Sequence, residues 1–244
     1  MKNCIELDVL MHEANQLIHF NPPYMKNKNF EEQSIAETRN KNWEKSPSQV
    51  FWGEIATLDH TVQIYENDKV FLNTLESFAG AGLIAGDSVI VIATADHLQA
   101  LKDRLSRHRF NLGFLESVGR FISLDTTDTL NRFMVNGMPD KTLFNECITR
   151  VITQAKTASG KFRAFGEMVA TLWQQGAQEA AIQLEELWNT LHSQDKFTLF
   201  CAYPKAGFTS DSTGGSGIKT VCCSHSKVID GAPRPSTEVY YRPA

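Results

Sequence analysis

The chain has 244 residues, 42% of them apolar and 21% charged, which is ordinary for a folded globular protein with room for one large α/β domain. Its net charge of -4 argues against bulk nucleic-acid binding, which needs a basic face. No apolar run reaches the roughly 20 residues that span a bilayer, and the start, MKNCIELDVLMHEANQ, has no secretory apolar core.

Residues 1–58 read as a polar N-terminal extension. Ile5, Val9, Leu10 and Leu17 suit a short helix, but NPPYMKNKNFEEQ and AETRNKNWEKSPSQ are polar and interrupted by proline. Trp43, Phe51 and Trp52 are the residues that would pin this arm to the domain, or to a partner. The five cysteines, Cys4, Cys147, Cys201, Cys222 and Cys223, show no disulfide-framework spacing, so reduced thiols and a cytoplasmic location are expected.

The main domain is expected over 59–230. It opens with a strand, VQIYE, and Asn67 and Asp68 are placed to cap a helix carrying Val70, Phe71, Leu75 and Phe78. Ser88 to Thr94, SVIVIAT, is β-branched and apolar on both faces, as a central parallel strand is. Thr94 or Asp96 caps a helix with Leu98, Leu101 and Leu105. Arg120 to Asp125 gives a third strand, followed by a helix with Leu130 and Phe133. Pro139 suits the first turn of the next helix, with Leu143, Phe144, Cys147, Ile148 and Val151 as its buried stripe.

Gly160 to Pro204 organises the rest. Two short apolar runs, Phe162 to Phe165 and Phe197 to Tyr203, flank Ala177, Ala180, Ala181, Leu184, Leu187, Trp188 and Leu191, which recur at steps of three and four. That pattern predicts strand, helical crossover, parallel strand. The fold class is therefore α/β, an open and mostly parallel sheet with helices on both faces. Beyond Tyr203, TSDSTGGSG reads as a flexible loop. TVCCSHSKVI fits a sixth strand or a short helix, with helix favoured. Residues 231–244 read as a poorly ordered tail.

Ligands of open parallel sheets bind beyond the carboxyl ends of the strands. Those ends carry Tyr65, Glu66, Thr94, His97, Asp125, Glu167 and Tyr203, with Trp173 nearby on a helix. Each has a plainer role open to it. Asp125 fits a helix cap better than a catalyst, and His97 fits a polar group in a first helical turn. Glu167 is the best candidate, because a carboxylate ending an apolar strand is partly desolvated and must be satisfied. Ligand contact and a structural partner, such as Arg163, remain equal alternatives for it.

A phosphate loop is missing where the first strand meets its helix. YENDKVFL has no glycine there, and Glu66 and Asp68 would repel a phosphate. Gly214, Gly215 and Gly217 before Lys219 and Thr220 lack the required spacing. No nucleophile elbow or H-E-x-x-H appears. Cys222, Cys223 and His225, with Cys201 in a strand interior, form a weak metal candidate. They read better as small buried residues beside a capping histidine, so no metal or cofactor is expected.

The runs HTVQIYEND, GLIAGDSVIVIATADHLQAL, FRAFGEMVATLWQQG, LEELWN and FTLFCAYP together resemble the MEDS domain, a sensory domain of methanogens and methylotrophs. The resemblance covers His60 to His225. It implies a degenerate relative of the RecA/KaiC-type ATPase fold, with YENDK standing where the phosphate loop would be and Glu167 where the Walker B acid would be. It also implies a module that senses small hydrocarbon derivatives and works with a histidine kinase or a transcriptional regulator. No kinase and no DNA-reading helix pair is recognisable, so either output through a partner protein or a stand-alone module is expected, with a homo-oligomer left open. Two rivals stand beside that reading: an enzyme using Glu167 and His97 as acid and base, and an interaction protein that has lost its ligand.

Overall fold

A computed structural model describes Trp52 and residues 58–206, 224–231 and 239–241. Its frame is a seven-stranded sheet. The strands are β1 (His60–Tyr65), β2 (Ser88–Ala93), β3 (Phe121–Asp125), β6 (Phe162–Gly166), β7 (Thr198–Pro204), β8 (Lys227–Gly231) and β9 (Val239–Tyr241), in the order β3-β2-β6-β7-β1-β8-β9. The first six run parallel, and β9 pairs antiparallel with β8. A small hairpin of β4 (Met134–Val135) and β5 (Met138–Pro139) stands apart.

Among the described residues, seven helices connect the strands. They are α1 (Asp68–Ala85), α2 (Ala95–Arg107), α3 (Leu112–Ser117), α4 (Thr126–Leu130), α5 (Lys141–Ser159), α6 (Met168–Gln174) and α7 (Gln178–Asp195). Parallel neighbours need such crossovers, and strands covered on both faces are apolar on both. SVIVIA is buried at all six positions for that reason.

Alternation along the strands divides the interior into two cores. Val62, Ile90, Ile92, Leu199, Cys201 and Tyr203 face α5, α6 and α7. Tyr65, Val89, Val91, Phe165, Phe200 and Ala202 face α1, α2 and α3. Trp52 belongs to the second core, edge-on to Phe78 with ring centroids 4.9 Å apart. Trp43 and Phe51 lie outside the described residues.

Several expectations need correction. α4 ends at Leu130, and Phe133 packs from the turn beyond it. Pro139 sits in β5 rather than in a helical turn. Asp140 caps α5 by accepting from Thr142 N and Leu143 N. The buried face of α5 runs through Phe144, Ile148, Ile152 and Ala155, while Leu143 points to solvent. The described end of SHSKVI is strand β8, not helix, and Val239–Tyr241 in the expected tail forms β9. The TSDSTGGSG loop lies outside the described residues.

Candidate sensory site and a buried polar cluster

All five predicted strands deliver their carboxyl ends to one edge, but the register splits the rim. β1 and β7 pair in parallel with Ile64 opposite Tyr203 and Tyr65 opposite Pro204. Successive side chains point to opposite faces. Tyr65 and Tyr203 therefore share an edge yet lie on opposite sides of the sheet.

On the α1–α2 side, Glu167 is buried just past β6 and both its oxygens are used. Oε2 accepts from Thr94 N at 2.9 Å, and Oε1 accepts from His97 Nδ1 at 2.8 Å. Its own N–H donates to Ile92 O at 2.8 Å. Arg163, the partner suggested by the sequence, pairs with Asp87 instead. Burial alone would lower the His97 pKa. The hydrogen bond and charge of Glu167, helped by Asp68 and Asp96, outweigh it and raise the value. Tyr65 stacks on Phe71, with centroids 4.9 Å apart, and Phe71 meets His97 edge-on. Burial, then the negative charge of Glu167 and Asp68, pushes the Tyr65 phenol up. Thr94 contributes its backbone N–H. The group is a closed network that fixes the β6–α6 connection to the start of α2.

Two rim residues are elsewhere. Asp125 caps α4 through Asp128 N at 3.0 Å, its plainer role. Glu66 lies at the surface, 3.2 Å from Lys205 Nζ. The β1–α1 connection is Glu66 and Asn67, without glycine, and Asn67 accepts from Val70 N. Gly214 to Thr220 lie outside the described residues.

On the opposite side, Trp173 and Tyr203 come together. They line a cavity of about 130 Å3 between α6, α7 and β7, with Val169, Ala181, Ile182 and Glu185 among its other walls. The Tyr203 hydroxyl donates to Glu185 Oε2 at 3.1 Å.

Glu185 also reaches a cluster of which sequence reasoning named Cys201 and His225 but missed His60 and Glu185. Its Oε1 lies 3.0 Å from His225 Nε2 and 3.5 Å from His60 Nε2, and His60 Nε2 lies 3.4 Å from Cys201 Sγ. All four residues are buried. Burial and the neighbouring His225 push the His60 pKa down to about 3, so its imidazole is neutral. Burial opposes ionisation of Glu185, but its close contact with His225, then with His60 and the Tyr203 hydroxyl, lowers its pKa. Burial, then Glu185, raises the Cys201 thiol. His225 is thus a partner of Glu185, and Cys222 and Cys223 lie outside the described residues. A signal for Glu185 existed: with Ala181, Leu184 and Trp188 buried on α7, steps of three and four put position 185 on the same face.

Residues 59–226 match the model of the methanogen/methylotroph, DcmR sensory domain, MEDS. The chain belongs to the MEDS family. Comparison with the curated proteins finds no match. The matched MEDS segment holds β1 to β7 and all seven helices, hence the cavity and every rim residue named above. A sensory role follows from membership. Among the described residues, no helix is long and apolar enough to cross a membrane.

Proposed function

We propose that this MEDS domain senses a small, largely apolar organic compound held between Trp173 and Tyr203, and relays occupancy to a signalling partner such as a histidine kinase or a transcriptional regulator. The observation that carries the reading is the cavity itself. It has about 130 Å3, with Val169, Trp173, Ala181 and Ile182 making the larger, apolar part of its wall. An apolar cavity of roughly 150 Å3 accepts benzene, so the space suits a ligand of a few heavy atoms. Glu185, Glu186, Tyr203 and Ser224 bring polar groups to it, and the Tyr203 hydroxyl is fixed on the Glu185 carboxylate, as in sites that orient a mostly apolar molecule.

Binding there touches α6 and α7 together. A ligand that prefers one of their arrangements shifts the population toward it, which a partner can read. The glycine-free β1–α1 connection supports a module that does not cradle phosphate there. The cysteine usage supports a cytoplasmic setting.

The test is a thermal-shift panel of short alcohols, ketones, benzene and halobenzenes on the full chain. Ile182 lines the cavity from a surface-exposed position, so Ile182→Trp fills the space without disturbing the core. Some compounds raise the melting temperature of the wild type by a few degrees, and the variant loses those shifts. Shifts of unchanged size in Ile182→Trp would sink the proposal.

One observation favours a second reading, acid-base catalysis. His97 and Glu167 are paired at 2.8 Å. General acid-base work also needs both groups within reach of a substrate, whereas both Glu167 oxygens are already engaged by the protein.

A further inference from the structure

We propose that His60, Glu185, Cys201 and His225 form a closed binding site for a divalent transition-metal cation of the zinc type. Four groups from four parts of the chain converge: the first residue of β1, the middle of α7, the interior of β7 and the approach to β8. One ligand atom from each lies within 4.8 Å of all the others. Zinc bonds of about 2.0–2.3 Å in a tetrahedron set ligand atoms roughly 3.3–3.8 Å apart. The contacts of 3.4 Å from His60 Nε2 to Cys201 Sγ and 3.5 Å from His60 Nε2 to Glu185 Oε1 fall in that range, and the 3.0 Å contact of Glu185 with His225 lies just below it.

The surroundings are arranged as those of a metal site are. His60 Nδ1 donates to Asn189 Oδ1 at 2.8 Å, which leaves the Nε2 lone pair facing Cys201 and Glu185. Tyr203 holds the far oxygen of Glu185, which leaves Oε1 turned inward. Outer partners of this kind orient metal ligands and raise their basicity. Without an ion the four inward-facing atoms are held by His60 Nε2 with Cys201 Sγ at 3.4 Å and by Glu185 Oε1 with His225 Nε2 at 3.0 Å. A cation takes the place of the protons in those contacts and binds all four atoms at once. Two imidazoles, a thiolate and a carboxylate suit zinc chemically. Four protein donors leave no open position, so the role is structural: the ion ties α7 to β1, β7 and the start of β8. Glu185 also walls the cavity, so the ion sits one carboxylate away from it.

Binding displaces the Cys201 thiol proton to solvent, and no redox change is involved. The test dialyses the full chain against micromolar Zn2+, counts bound metal by mass spectrometry, and repeats the titration with Co2+. The expected result is one ion per chain, with the intense visible bands of tetrahedral Co2+ and a near-ultraviolet thiolate charge-transfer band. Cys201→Ser loses the charge-transfer band. Asn189→Ala, which touches only the outer hydrogen bond, weakens binding about 10- to 100-fold. Circular dichroism checks that each variant is folded. If Cys201→Ser does not fold, the Asn189 variant decides. A folded wild type that retains no metal would overturn the proposal. So would a weak octahedral Co2+ spectrum, a charge-transfer band surviving in Cys201→Ser, or unchanged affinity in Asn189→Ala.

Discussion

At the residue scale, Glu167 and His97 are the clearest case of a sequence candidate whose partners were not legible. A carboxylate ending an apolar strand had to be satisfied, and it is. The suggested partner, Arg163, stands four residues back along β6, and its guanidinium is taken by Asp87. Thr94 and His97 lie some 70 positions away in sequence, and only the β2–β6 pairing brings them in. The pair makes a pH prediction. The His97 pKa is raised in the fold, so the native state holds that proton more tightly. Its stabilisation is full below the unfolded value of about 6.5 and is lost as pH rises through the raised native value. Urea unfolding of wild type and His97→Gln should show a gap that is widest near about pH 5.5 and narrows above neutrality. A gap that stays constant or widens with pH contradicts the pairing.

At the element scale, the helix and strand order was readable from periodicity, because long amphipathic segments such as α7 and buried runs such as β2 repeat their signal many times. Short elements carry too few repeats. Lys227–Gly231 offers five residues, and its strand character comes from pairing with β1 on one side and β9 on the other, which no local pattern reports. Close approach of elements was equally hidden. α1 nears the sheet at Gly82, where an added Cβ would stand 2.5 Å from Arg163 Cδ and Nε and 2.9 Å from Val89 Cγ2. Arg163 cannot easily give way. It is buried, bonded to Asp87 at 2.6 and 3.1 Å and to Phe78 O at 3.3 Å, with its guanidinium over the Phe78 ring. Gly82→Ala improves helix propensity by about 1 kcal/mol, but overpacking of this kind costs roughly 1–3 kcal/mol. The variant is expected to unfold at lower urea than wild type. An unchanged or higher midpoint contradicts this packing.

At the scale of the whole molecule, one sheet presents two different faces at a common edge. The carboxyl-edge rule located the rim from sequence, but the rule says nothing of which side each residue takes. Side follows from register, and register from pairings between segments far apart in the chain. Parity puts Tyr65, His97 and Glu167 in a closed network against α1 and α2. Tyr203 and Trp173 line the cavity against α6 and α7. The same alternation turns His60 and Cys201 inward toward Glu185. His60, Glu185, Cys201 and His225 stand at least 16 positions from one another, which is why the buried cluster showed no motif spacing.

The central claim is that the sensed compound enters on the Trp173–Tyr203 side. The most direct measurement is a crystal grown with bromobenzene, with anomalous scattering used to locate the bromine. The account predicts a single bromine peak between Trp173, Tyr203 and Ile182. A peak beside Tyr65, His97 and Glu167, with the α6–α7 cavity empty, would contradict it.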